Sequence, residues 1–221
     1  MTLIDNLINQ KWLKTPTIIE AFRNIKRVDF LSAAPFRGEP RPLYGREEIS
    51  DLADLDRALP IGFGQTISQP LVVAFMLELL QPKTGDKILD VGSGSGWTSA
   101  LLAEIVGKKG KVIAIELIPE LKEFGKENIA KYNFIEKGIV ECIYADGTKG
   151  YEKEALFDKI LCSAAAQKEI PLAWKEQLKI GGRIVSSVDN SIWLFIKKSE
   201  KEFEKKEYPG FALVPLVLSG G

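Results

Sequence analysis

Hydrophobic residues change period along this chain, and the change divides it into elements. Near the start, Leu3, Ile4, Leu7 and Ile8, then Ile18, Ile19, Phe22 and Ile25, recur at helical spacing and predict a small helical cap. Leu71 to Leu80 reads as an apolar helix with Pro70 in its first turn, where a missing N–H is tolerated, and with Ser68 or Gln69 as the expected cap. From Lys87 the runs shorten. Residues 87–91, 111–116, 139–144 and 157–164 look like buried strands, with helical patterns over 98–106 and 121–132 between the first three. Gly182 to Val188 and Ser191 to Lys198 alternate about Asp189-Asn190, which predicts a β-hairpin, and Ala212 to Leu218 supplies a last strand. The expectation is therefore an α/β fold: a mostly parallel seven-stranded sheet with helices on both faces and an N-terminal helical cap. A single domain over residues 1–221 is expected, with 1–80 forming the cap and a candidate site loop and 81–221 forming the sheet and C-terminal strands.

Chemistry gathers at strand ends. Lys87-Ile88-Leu89-Asp90-Val91 runs into Gly92-Ser93-Gly94-Ser95-Gly96-Trp97 and then a helix, the strand, glycine loop and helix order of nucleotide sites. Trp97 stands where the dinucleotide pattern needs glycine, and no Lys-Ser/Thr pair follows, so pyrophosphate binding is disfavoured. Asp90 at the strand end would repel phosphate; it suits a cationic amino-acid group or organises the loop, which favours S-adenosylmethionine as ligand. Glu116 closes the next strand about 20 residues on, where an acid binds ribose hydroxyls. Asp146-Gly147 closes a third, placing a hydrogen-bond acceptor for an adenine amino group beside a residue that permits close approach. Trp97 is expected to pack under the loop.

A second segment, Gly62-Phe63-Gly64-Gln65-Thr66-Ile67-Ser68-Gln69-Pro70, combines glycines with uncharged hydrogen-bonding side chains ahead of an apolar helix. It reads as a ligand-holding loop; the plainer alternative is that Thr66 and Ser68 only cap.

The run from Arg27 to Gly182 resembles the protein-L-isoaspartate (D-aspartate) O-methyltransferase family, repair enzymes of the class I S-adenosylmethionine-dependent methyltransferase fold. The resemblance rests on Arg27-Val28-Asp29-Phe30, Leu59-Pro60-Ile61 with the Gly62 to Pro70 segment, the glycine loop, Asp146-Gly147, Ile170-Pro171 and Gln177 to Arg183. Leu213-Val214-Pro215-Leu216-Val217 is similar to a family segment near the substrate. The resemblance implies Ser68, with Thr66, at the methyl acceptor and Gln65 and Ile67 at the boundary of cofactor and substrate. It further implies Gly92, Ser93 and Gly94 along the methionine part of S-adenosylmethionine, Glu116 at the ribose, and Asp146 with Gly147 at the adenine, with Asp90 and Gly96 completing the cofactor-binding set. The implied partners are damaged proteins or peptides carrying L-isoaspartyl, and by the family's name D-aspartyl, residues. Two departures stand out. Ala53-Asp54-Leu55-Asp56 has Asp54 where members show tyrosine, and Arg37 to Glu48 reads as a proline- and charge-rich loop longer than the family's usual link.

Methyl transfer from a sulfonium to a carboxylate is an in-line displacement on an acceptor already ionised at neutral pH, so it needs alignment rather than a strong base. Uncharged donors suit it, and the chain has no histidine. Two alternatives stay open: a related methyltransferase acting on another carboxylate or on RNA, and a non-catalytic module that keeps the cofactor fold. After the 157–164 strand the chain reads Cys162-Ser163-Ala164-Ala165-Ala166, without the Asn/Asp-Pro-Pro-aromatic run of many base-methylating enzymes.

Composition narrows the rest. Thirty basic and thirty acidic residues give zero formal charge, which provides no global attraction to nucleic acid. The mixed-sign run Lys197 to Glu207 reads as a solvated hairpin or loop. Cys142 and Cys162 lie in apolar strands as buried free thiols, and two cysteines without histidine form no usual metal site. With Asp5 near the start and no long apolar run, neither signal peptide nor membrane helix is indicated, and a cytoplasmic monomer is expected.

Overall fold

The computed structural model describes residues 1–32, 44–45, 48–166 and 169–217. The N-terminal pattern forms two helices, α1 (Leu3–Asn9) and α2 (Pro16–Asn24). Thr2 and Asp5 close a reciprocal capping box on α1, each backbone N–H reaching the other's side chain at 3.2 Å. A short α3 (Ile49–Ala53) leads to a two-stranded hairpin, β1 (Leu59–Gly62) and β2 (Gln65–Ile67), and then to α4 (Pro70–Leu80). Glu78 on α4 accepts from the Lys14 and Thr15 amides at 2.7 Å and from the Thr15 hydroxyl at 2.8 Å, so the cap is bolted to α4 through the α1–α2 connection.

The main sheet is built by β3 (Lys87–Val91), β4 (Lys111–Glu116), β5 (Val140–Tyr144), β6 (Phe157–Ala166), β7 (Leu178–Val188), β8 (Ser191–Lys197) and β9 (Phe203–Pro209). Helices α5 (Trp97–Val106) and α6 (Pro119–Ala130) connect β3 to β4 and β4 to β5, and α7 (Leu172–Glu176) precedes β7. The strand order is β5-β4-β3-β6-β7-β8-β9, parallel through β7 and antiparallel for β8 and β9. Chain direction reverses about β3: the path runs outward to β4 and β5, then returns to β6 on the other side. In open α/β sheets such a switch point opens a crevice at the carboxyl ends of the strands.

Alternation along the strands separates two cores. Ile88, Val112, Ala114, Leu161 and Val185 join the cluster that α1, α2, α4, α5 and α6 cover. Leu89, Val91, Ile113, Ile115 and Ile160 face the opposite side, where Trp174 of α7 fills the centre. Both faces carry helix, one far more than the other.

Seven strands form, but the last is not the expected one. Phe203–Pro209 comes from the charged run read as solvated hairpin or loop, and it is an edge strand whose middle, Glu204 to Glu207, is exposed. Charge on both faces erases the period-2 signal and is also how an edge strand discourages further pairing. Ala212 onward instead forms a single parallel bridge, Ala165 to Pro215. The proline-rich stretch 37–42, positions 46–47 and Leu218 lie outside the described residues. No described helix is long and apolar enough to cross a membrane.

Candidate active site

The glycines of Gly62-Phe63-Gly64 serve a turn rather than a ligand. All three residues take positive φ, 92°, 54° and 70°, to reverse the chain between β1 and β2. The hairpin then delivers Gln65, Thr66, Ile67 and Ser68 to the wall of a cleft at the switch point. Neither Ser68 nor Gln69 caps α4 with its side chain. Asp56, from the connection after α3, does so instead: its Oδ1 accepts the Leu71 amide at 2.8 Å and its Oδ2 the Gln69 Nε2 at 3.2 Å. The expected cap is corrected because Gln69 is held by the same carboxylate that satisfies the helix terminus.

Opposite the hairpin, Gly92, Ser93, Gly94 and Ser95 line the cleft with Glu116, and Gly147 joins them from the turn after β5. Glu116 is 7% exposed and uses both oxygens on main chain: Oε2 takes the Gly94 amide at 2.9 Å, Oε1 those of Leu117 and Ile118 at 2.8 and 2.9 Å. The Gly92 and Ser93 amides donate to Ile115 O at 2.9 and 3.0 Å, so β4 fixes the loop that β3 leads into. A Cβ on Gly147 would run into Val91 Cγ1, so only glycine lets this turn approach β3.

Two expected site residues, Asp90 and Gly96, sit behind the wall instead of on it, and a third, Asp146, is half-buried beside Gly147 with its carboxylate engaged by the turn. Asp90 is fully buried and accepts from Thr98 Oγ1 at 2.9 Å and Ser99 Oγ at 2.6 Å, which locks the start of α5 beneath the loop. Burial pushes its carboxyl up to about 6, against the downward pull of those two hydroxyls. Gly96 serves packing: a Cβ there would approach Gly125 O at 2.8 Å, so the loop lies directly on α6. Asp146 Oδ1 accepts the Thr148 amide at 3.0 Å and its hydroxyl at 2.6 Å, capping the 3-10 turn Gly147–Lys149. Trp97 is buried at 3% exposure, set edge-on to Phe22 at 5.6 Å, and it also borders the cleft.

A family model for protein-L-isoaspartate(D-aspartate) O-methyltransferase matches residues 1–220. The chain belongs to the protein-L-isoaspartate O-methyltransferase family. Among relatives of that name, the one from Methanopyrus kandleri is 37% identical over 99% of this chain and 91% of its own length. One from Archaeoglobus fulgidus is 47% identical over 81% of this chain and 82% of its own. In fold, the chain superposes with a TM-score of 0.80 and 22% identity on a Plasmodium falciparum structure assigned to the same enzyme, solved in complex with S-adenosyl-L-homocysteine. That match covers 97% of this chain and 96% of the other.

The cleft has what this family's cofactor requires: close-approach backbone at Gly92, Gly94 and Gly147, an acid at Glu116, and no basic side chain among the described lining residues. Two contributors, Ser163 and Asp56, were not assigned from the sequence, and a third was placed only by resemblance. Ser163 lines the cleft from the end of β6, and its buried Oγ has no partner among the described residues; only its strand-end register hinted at a role. Leu216, placed near the substrate by the family resemblance alone, flanks Gly92 because Val214 and Leu216 hydrogen-bond to Ala165 at 2.7 and 2.9 Å. Asp56 acts from 13 residues away from Gln69, beyond the reach of local capping rules.

Proposed function

We propose that this cleft transfers the methyl group of S-adenosylmethionine to the α-carboxylate of L-isoaspartyl residues in damaged proteins, within one methyltransferase domain of a cytoplasmic, monomeric protein. The observation that carries this reading is the makeup of the cleft wall. Glu116 is the one carboxylate among the described lining residues, no lysine, arginine, histidine or tyrosine joins it, and both its oxygens already hold amides. A hydroxyl or amine acceptor needs somewhere to send a proton; a carboxylate does not. The bound cofactor supplies a methyl carbon activated by its sulfonium.

The chain's residues provide the rest. Thr66 and Ser68 offer hydroxyl donors that orient one acceptor oxygen and leave the other free, without the strong salt bridge a lysine or arginine would impose. Gln65 and Ile67 separate acceptor from cofactor. Gly92, Ser93 and Gly94 follow the methionine part, Glu116 the ribose, and Gly147 with Asp146 the adenine, while Asp90 and Gly96 hold the loop in place from behind. The apolar segment at Val214 to Val217 helps exclude water from the acceptor carboxylate.

The test is labelled methyl transfer from S-adenosylmethionine to an isoaspartyl peptide, beside its normal aspartyl twin, a D-aspartyl variant and an RNA. Selective labelling of the isoaspartyl peptide is expected. Equal labelling of isoaspartyl and aspartyl peptides, or of RNA alone, would overturn the reading.

A further inference from the structure

Arg27 opens the 3-10 turn Arg27–Phe30 and is buried, at 6% exposure. A guanidinium so placed ordinarily pairs with a carboxylate, because an isolated buried charge is costly. Here its hydrogen bonds go to main-chain carbonyls: Nη1 to Ala53 O and Leu55 O, both at 3.1 Å, Nη2 to Arg57 O at 2.7 Å and to Ser68 O at 3.2 Å. Its plane also rests over Trp97, 5.4 Å from the ring centroid. Burial pushes the guanidinium down to about 10, opposed by the nearby Asp56 charge.

Those partners belong to three separate parts of the molecule. Residues 53–57 carry Asp56, which pins Gln69 and Leu71 at the start of α4. Ser68 ends the Gln65–Ser68 segment proposed to hold the acceptor, and Trp97 borders the cofactor cleft. One planar fork therefore holds the Ser68 carbonyl directly and the following turn through Asp56. A neutral apolar side chain would fill the same space without reaching four carbonyls, and a lysine would present a point charge in place of a fork.

We infer that Arg27 is a positioning residue for methyl transfer: its guanidinium fixes Ser68 and the 53–57 turn in register against the Trp97 wall of the cofactor cleft. This rests on the placement of the acceptor beside Ser68 proposed above. In-line displacement tolerates little misplacement, on the order of 100-fold in rate for 1 Å. The consequence falls on the acceptor side, since the glycine loop is held independently by Glu116, Ile115 and Asp90.

The experiment uses the full chain with Arg27→Lys and, as a second lesion in the same clamp that leaves the buried cation intact, Asp56→Ala. Read out are kcat and KM for the isoaspartyl peptide, S-adenosylhomocysteine affinity, and amide hydrogen exchange. Both variants are expected to lose roughly 10- to 100-fold in kcat while holding S-adenosylhomocysteine affinity within about threefold. Amides 66–69 and 71 should exchange faster and amides 92–96 stay as protected as in wild type. Wild-type kcat in Arg27→Lys, or losses of cofactor affinity equal to the loss in kcat, would overturn the inference. If Arg27→Lys fails to fold, Asp56→Ala decides it by the same criteria. Should wild-type protein not methylate the peptide, the functional reading fails by itself. The exchange data then judge the clamp, and unchanged exchange at 66–69 and 71 refutes it.

Discussion

Glu116 Oε2 accepts the backbone N–H of Gly94 at 2.9 Å, joining the end of β4 to the loop that follows β3. The same carboxylate faces the cleft and shapes it, so it is structural for the loop as well as the group proposed to meet a ribose. Glu116→Gln must turn an amide group toward at least one of three N–H donors, leaving a donor facing a donor. Loss of one such buried bond is worth about 1–3 kcal/mol. S-Adenosylmethionine affinity should fall roughly tenfold to a hundredfold by calorimetry; unchanged affinity would detach Glu116 from the cofactor.

Ser68→Ala separates acceptor from cofactor. Its hydroxyl belongs to the segment that β2 leads into, and its carbonyl is already taken by Arg27. Removing one hydroxyl donor to a carboxylate is worth about 1.5–3 kcal/mol, so kcat/KM for the isoaspartyl peptide should drop on the order of 10- to 100-fold with cofactor affinity nearly unchanged. A parallel loss of cofactor binding would move Ser68 to the cofactor side.

Asp146 caps a turn, and its proposed contact with adenine is separable from that cap. Asp146→Ala removes the cap of the Gly147–Lys149 turn and should cost about 1 kcal/mol of stability along with cofactor affinity. Asp146→Asn keeps an oxygen for the Thr148 amide, so stability should return while cofactor affinity does not. Thermal melts with and without S-adenosylhomocysteine check both; full recovery of affinity in Asp146→Asn would count against an acceptor role toward adenine.

Asp90 makes a pH prediction with a definite sign. Its carboxyl is raised from 3.8 to about 6 by burial, so the folded state holds its proton more tightly than the unfolded chain does. Its contribution to stability is therefore fullest below about pH 4, declines as pH rises toward 6, and levels off above. The shift corresponds to at most about 3 kcal/mol. Relative to Asp90→Asn, wild-type protein should lose stability across pH 4–6 in urea titrations. A difference that stays flat, or rises, over that window would refute the raised value.

The two cysteines should be inert. Burial pushes Cys162 up to about 12 and Cys142 to about 11, so thiolate is scarce at neutral pH. Alkylation by iodoacetamide in the native state should be slow and should speed up only on unfolding.

Much of this architecture was legible in residue order alone, and the reason is local. The runs 87–91 and 111–116 are buried on both sides, so their apolar continuity needs no partner to be recognised, and the edge strand 139–144 still shows through Ile139, Val140 and Ile143. Gly92 to Gly96 and Asp146-Gly147 follow directly on strand ends, and covalent connection carries them to one edge once the strands lie parallel. Family membership was equally visible, because the Gly62 to Pro70 segment is contiguous. What sequence could not rank was which polar residue faces the cleft and which props it from behind. Asp90, Gly96 and Asp146 all sit at the expected positions, yet their side chains or missing side chains answer to Ser99, Gly125 and Thr148.

The remaining decisions belonged to the tertiary structure, because they depend on groups far apart in the chain meeting in space. Phe203–Pro209 became the edge strand through pairing with β8, against a charge pattern that carries no period. Asp56 displaced the local caps of α4, and Arg27 found Ser68 O across 41 residues. Local sequence thus determined the inner strands, the glycine loop and the family. Only folding decided how the Gln65 to Ser68 segment is held beside that loop, because no local pattern encodes a guanidinium meeting four carbonyls.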